Sequence, residues 1–75
     1  MNTYTYEARA TLDTGEPAAM SGTVKAACLR CALWEAIEAT GITYAELVAG
    51  AWVEVRDPAT GAVEHVGGKP KEAHV

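Results

Sequence analysis

Between residues 4 and 12 apolar and polar positions alternate strictly, with Tyr4, Tyr6, Ala8, Ala10 and Leu12 on one side and Thr5, Glu7, Arg9 and Thr11 on the other. A period of two is that of a strand with one buried and one wetted face. Asp13, Thr14, Gly15, Glu16 and Pro17 follow, residues that favour turns through backbone freedom, side-chain hydrogen bonding or a fixed φ. A second strand is predicted over 19–26, with Met20, Val24 and Ala26 inward. Gly22 falls on the same inward face and leaves a gap, as at a bulge or where a helix backbone crosses. The two strands make a hairpin.

The period then changes from two to that of a helix. On a wheel of about 100° per residue, Ala32, Leu33, Ala36 and Ile37 lie within roughly 80° of Leu29, while Cys31, Glu35 and Glu38 lie opposite. Arg30 and Trp34 sit on one shoulder of this stripe and Cys28 on the other. The spacing predicts that the helix packs through Leu29, Leu33 and Ile37, with the alanines allowing a sheet to approach closely. Gly41 suits the left-handed position just past its end. Its start lacks a Ser, Thr, Asp or Asn to cap the free N–H groups. Thr43-Tyr44-Ala45-Glu46 matches a capping box and predicts a short helix to residue 49, closed by Gly50.

Alternation returns over 51–56, with Val53 and Val55 on one side and Trp52, Glu54 and Arg56 on the other. Asp57-Pro58-Ala59-Thr60-Gly61 is a turn sequence, and 62–66 is the returning strand of a second hairpin. From Gly67 the chain is polar and glycine-led, and residues 68–75 read as a flexible tail after a single domain spanning 1–67. The predicted fold is α+β of order β-β-α-(short α)-β-β: an antiparallel four-stranded sheet covered on one face by one main helix. Leu12, Val24, Leu29, Leu33, Ile37, Leu47, Val53 and Val55 are the expected core.

Composition makes that core thin. Of 75 residues, 15 are alanine and none is phenylalanine, and a chain of this length buries only about 60% of its unfolded surface. Each large side chain, notably Trp34, Trp52, Tyr4, Tyr6 and Tyr44, is therefore either a main core element or a contact surface. Ten acidic against six basic residues give a net charge of −4, which disfavours nucleic-acid phosphate and anionic lipid as partners. No signal-peptide h-region and no apolar run near the ~20 residues of a membrane span is read in the sequence, so the chain is expected to stay where it is made. Its two cysteines, three apart, fit a reducing compartment, so a cytoplasmic location is expected.

Chemistry is sparse. Cys28-Leu29-Arg30-Cys31 has the placement of thioredoxin-like redox motifs, where a helix start lowers a thiol pKa, but the chain is short and carries no parallel-sheet pattern. The plainer reading makes Cys28 a small boundary residue and Cys31 an exposed thiol, and it is preferred. A metal site would need four ligands, and Cys28, Cys31 and His65, with His74, match no standard finger spacing. Ser21 has no nucleophile elbow around it, and Gly67-Gly68-Lys69 lacks the glycines and helix of a phosphate loop. Glu7, Glu54 and Glu64 are candidates for a carboxylate pair, but solvated strand glutamates are commoner. No cofactor and no enzymatic activity are expected.

Contact residues are easier to nominate. Trp and Arg dominate interface hot spots, and the candidates for partner binding are Trp34, Trp52, Arg30, Arg56 and Glu54. The outward face holding Thr5, Glu7, Arg9, Thr11, Thr23, Lys25, Trp52, Glu54 and Arg56 is mixed in charge, which suits a protein or a second copy of the chain better than RNA. A homodimer is expected, either across that face or by pairing the first strand, which has no Pro and only Glu7 and Arg9 charged, if it lies at an edge.

Ser21-Gly22-Thr23-Val24-Lys25-Ala26 followed by an alanine-rich helix ending at Gly41 resembles the strand-to-helix pattern of small ββα modules, including the cytoplasmic domain of type II secretion inner-membrane proteins. The membrane segments of that family are missing from this sequence, so the likeness implies fold alone. The alanine-rich, phenylalanine-free composition is similar to that of small accessory proteins of high-GC bacteria and their phages. That resemblance implies a non-enzymatic regulator or inhibitor of a host complex, anti-defence proteins included, and the runner-up is a thiol-redox or metal-binding protein using Cys28 and Cys31.

Overall fold

Among the described residues the alternating and helical periods resolve into six elements: β1 (Asn2–Thr11), β2 (Pro17–Ala26), α1 (Leu29–Thr40), α2 (Tyr44–Val48), β3 (Trp52–Arg56) and β4 (Val63–Gly67). The computed structural model describes residues 1–11 and 17–68, with backbone alone at 11, 17 and 18. Leu12, the first turn over 13–16, and residues 69–75 of the expected tail lie outside the described residues. The elements form an α+β fold with a four-stranded antiparallel sheet of order β2-β1-β3-β4.

That order places β1 inside the sheet. After the β1–β2 hairpin, α1 crosses one face and the chain re-enters beside the free side of β1, so β3 pairs with β1 and β4 extends the sheet beyond it. The condition for self-pairing through β1, that it lie at a sheet edge, is not met, because both of its sides are hydrogen-bonded within the chain. The sheet edges are β2 and β4.

Register sorts side chains into two faces. Toward α1, Ala8 stands opposite Met20 and Val53, and Tyr6 stands opposite Gly22 and Val55. Pairing continues unbroken through Gly22, so it marks no bulge. A Cβ there would lie 2.9 Å from the Tyr6 hydroxyl and 3.0 Å from its Cε2: the missing side chain makes room for the cross-strand ring.

α1 seats on this face through its smallest residues. Ala32 and Ala36 are fully buried and Leu33 nearly so, whereas Leu29 and Ile37 are only half-buried. The contact strip is thus shifted from the expected Leu29–Leu33–Ile37 line: methyl side chains let the helix settle closest, and the longer residues flank it. Val53 and Val55 are fully buried beneath, with Tyr4, Ala8, Ala26, Ile42 and Ala51 around them. Val24 and Leu47, expected in the core, are half-buried at its margin. Gly41 takes the left-handed conformation past α1 (φ 73°) and its N–H donates to the Ile37 carbonyl. Thr43 and Glu46 form the capping box of α2, Thr43 N–H donating to Glu46 Oε1 at 2.7 Å and Glu46 N–H to Thr43 Oγ1 at 3.2 Å.

The second hairpin closes where a tail was expected to begin. Gly67 pairs with Trp52 as the last residue of β4, and the Gly68 N–H donates to the Ala51 carbonyl at 3.0 Å. With φ at 98°, Gly67 is in a region that side chains rarely adopt, and a Cβ there would overlap the Ala51 carbonyl oxygen and approach the Trp52 Cα to 2.8 Å.

Two stability outcomes follow. Leu33→Ala removes bulk beside Ala32 and Ala36 and should cost about 2–5 kcal/mol, read as a lower midpoint in denaturant melting. Gly67→Ala should cost on the order of 1–3 kcal/mol from backbone conformation alone, with the overlap adding to it. A melt within error of wild type for Gly67→Ala would contradict the described closure of β4.

Candidate functional site

The sheet face away from α1 carries three rows that span all four strands, with Thr3 and Lys25 paired beyond them on β1 and β2. Ala19, Arg9, Trp52 and Gly67 form one; Ser21, Glu7, Glu54 and His65 the next; Thr23, Thr5, Arg56 and Val63 the third. Strand alternation alone assigns each residue to this face, and pairing register brings the rows together. Among the described residues no helix or strand covers it. Arg9 and Arg56 are exposed, Trp52 and Glu54 half-buried, and Val63 is 39% exposed.

Two shallow depressions mark this surface. One of about 380 Å³ is lined by Thr5, Glu7, Thr23, Glu54 and Arg56, over a floor at Tyr6 and Gly22. The other, about 270 Å³, lies between Arg9, Ala19 and Trp52 with Glu7 on its margin. Glu7 stands directly opposite Glu54, a like-charge neighbour pair that weakens a sheet; Glu64, by contrast, faces α1 and is no part of this pair. The carboxylates are bracketed along the strands by Arg9 on one side and Arg56 on the other. The face therefore reads basic, acidic, basic from row to row.

A second candidate lies across the sheet, at the start of α1. Cys28 is the N-cap of the helix, extended at φ −154° and ψ 170°, and its sulfur accepts from the Cys31 N–H at 3.3 Å. The absence of an oxygen-bearing cap in the sequence is thus made good by sulfur. The two thiols share a 2.9 Å S–H···S hydrogen bond, and both are solvent-exposed. The Cys31 thiol, then the Cys31 N–H, lower the Cys28 pKa, with the Arg30 N–H and guanidinium adding to them. The same sulfur contact raises the Cys31 thiol, joined by partial desolvation and the charge that Cys28 acquires. Once Cys28 is a thiolate it can only accept, so Cys31 S–H is then the donor. Arg30 also reaches Glu64 on β4 at 3.7 Å, an exposed ion pair of small energetic weight.

The five nominated contact residues do not form one surface. Trp52, Glu54 and Arg56 share the uncovered face, whereas Arg30 and Trp34 lie on α1, beyond the sheet's other face. Trp34 is 64% exposed, so it is no part of the core. The three weak metal candidates are separated too: His65 is in the uncovered row with Glu54, and Cys28 and Cys31 are on the helix side. No group of three or more potential metal ligands converges among the described residues. Nor is any described helix long and apolar enough to cross a membrane.

Compared with models of protein families, curated proteins and solved structures, the chain matches none. Its functional reading therefore rests on these two surfaces. Sequence reasoning had the outward residues of β1 and β3 but not the rows they form, because strand order was not legible. It also missed Cys28 as a cap. Replacing Cys28 by Ser, a good N-cap, should leave the thermal midpoint close to wild type, whereas Cys28→Ala should lower it by removing the acceptor for the Cys31 N–H. Equal midpoints for the two variants would mean that the sulfur contributes nothing as a cap.

Proposed function

We propose that this chain is a small non-enzymatic binding domain that acts through the uncovered face of its sheet, with a second copy of the chain as the occupant of that face. The observation that carries the reading is the row order on the face: Arg9 and Trp52 lie beside Glu7 and Glu54 on the same two strands. A two-fold axis lying in the interface across the strands, between these rows, sets Arg9 of each copy over Glu7 of the other and Trp52 over Glu54. Such an arrangement is isologous, the same patch on both copies, and its charge complementarity lies in the two Arg9–Glu7 contacts. Two sheets stacked in this way have the geometry of an aligned sandwich.

Size limits the strength of the contact. Four strands about 4.8 Å apart, overlapping for about five residues of ~3.4 Å each, with the longer ends of β1 and β2 added, offer several hundred Å² per copy. This is the low end for a specific interface, so association is concentration-dependent rather than permanent. Net charge of −4 opposes it weakly, since the screening length at physiological salt is about 8 Å. A regulatory role toward a larger assembly is compatible with such a surface, because a weak self-contact is readily displaced by a tighter partner.

Sedimentation over a concentration series tests the reading. Arg9→Glu or Glu7→Arg alone places like charges across the interface and should weaken association about tenfold or more, ~1.4 kcal/mol or above. The double exchange restores opposite charges and should recover most of the loss. A monomer mass that persists at high micromolar concentration would sink the proposal. So would a double variant no better than the singles.

A further inference from the structure

The thiol pair at the start of α1 lies on the far side of the sheet from the proposed contact face and is not absorbed by it. Three features coincide there. Both sulfurs are exposed; they are 2.9 Å apart, about 0.9 Å more than a disulfide bond length; and they face each other without intervening side chains. They are also chemically unequal in position: Cys28 is the N-cap, beneath the Cys31 N–H and at the positive end of a helix of 12 residues, whereas Cys31 is inside the first turn. We propose that Cys28 and Cys31 are a dithiol that exchanges reversibly with disulfides, Cys28 attacking first and Cys31 resolving the intermediate.

The Cys28 thiolate attacks one sulfur of a disulfide R–S–S–R, forming Cys28–S–S–R and expelling R–S⁻. The Cys31 sulfur, deprotonated as it reacts, attacks the Cys28 sulfur, forming the Cys28–Cys31 disulfide and expelling the second R–S⁻. Two electrons pass from the protein dithiol to the disulfide, and the two protons lost by the protein end on the two released thiols. In reverse, the oxidised chain accepts two electrons from a dithiol. The inequality of the thiols supports this order: hydrogen bonds from Cys31 and the nearby Arg30 charge favour thiolate at Cys28, and the Cys28 charge, with Glu35, disfavours it at Cys31. Arg30 is also paired with Glu64 on β4 at 3.7 Å. Because both sulfurs are exposed, small and protein disulfides share access to them.

The test uses the full reduced chain, equilibrated with mixtures of oxidised and reduced glutathione in one arm and with a scrambled, disulfide-bonded protein in the other, then acid-quenched, alkylated and weighed. The expected product is a monomer lighter by two hydrogens, with both cysteines protected from alkylation and fully recovered on adding dithiothreitol. Cys31→Ser should stop at the mixed disulfide, gaining the mass of one glutathione at Cys28. Cys28→Ser, which keeps a capping oxygen, should lose most of that adduct. Alkylation of the wild type should be several-fold faster at Cys28 than at Cys31 near neutral pH. Reaction in the glutathione arm assigns a small disulfide as sufficient, and reaction in the second arm alone assigns a protein disulfide. No intramolecular disulfide in either arm would overturn the proposal, and so would an adduct that forms equally on Cys28→Ser and Cys31→Ser. Since neither thiol lies on the uncovered sheet face, this result stands or falls independently of self-association.

Discussion

Close approach of α1 to the sheet sets the rest of the architecture. Ala32 and Ala36 are fully buried, and a methyl side chain holds a helix backbone at the shortest range a side chain allows. With few large residues to spare, the chain fills its core by bringing backbones together rather than by adding bulk. Tyr4, Val53 and Val55 supply the volume beneath, and Gly22 gives up its own side chain so that the Tyr6 ring can lie across it. A helix of 12 residues is about 18 Å long, close to the length of the five-residue strands it crosses. One such helix, extended by Ile42 and the short α2, suffices for one sheet face. The opposite face then stays open among the described residues, and the polar and charged residues of β1 and β3 there follow from the same alternation that fills the core.

How much of this was legible depended on the range of the interaction. Local signals were read directly: the period of two in β1, the helical stripe, the capping box at Thr43 and Glu46, and the left-handed Gly41 are each fixed by contacts within a few residues. Strand order was not, because β1 meets β3 across more than forty residues of chain and alternation says which face a residue takes, not which strand lies beside it. The core was misjudged for a related reason. Hydrophobicity favoured Leu29 and Ile37, whereas geometry rewards the small Ala32 and Ala36. Ile42 and Ala51 bracket α2, and only the tertiary path of the chain buries them.

The candidate surfaces follow the same division. Trp52, Glu54 and Arg56 were placed together by alternation, but their relation to Glu7 and Arg9 needed the register. Trp34 and Arg30 fell on the opposite side of the molecule once α1 was seated. The cysteines were visible as a spaced pair, yet their spacing carried no information about the sulfur acting as a helix cap or about the 2.9 Å separation. Both came from the extended backbone of Cys28 at the point where β2 turns into α1.

The central claim is that the uncovered sheet face, and Trp52 within it, is where this domain makes contact. The two tryptophans report on the two sides of the molecule, so acrylamide quenching of single-tryptophan variants over a concentration series tests the claim most directly. In Trp34→Phe, the remaining Trp52 should become less quenchable and its emission should move to the blue as concentration rises. In Trp52→Phe, Trp34 should stay equally accessible throughout. Concentration-independent quenching of Trp52, or shielding of Trp34 in its place, would contradict the account.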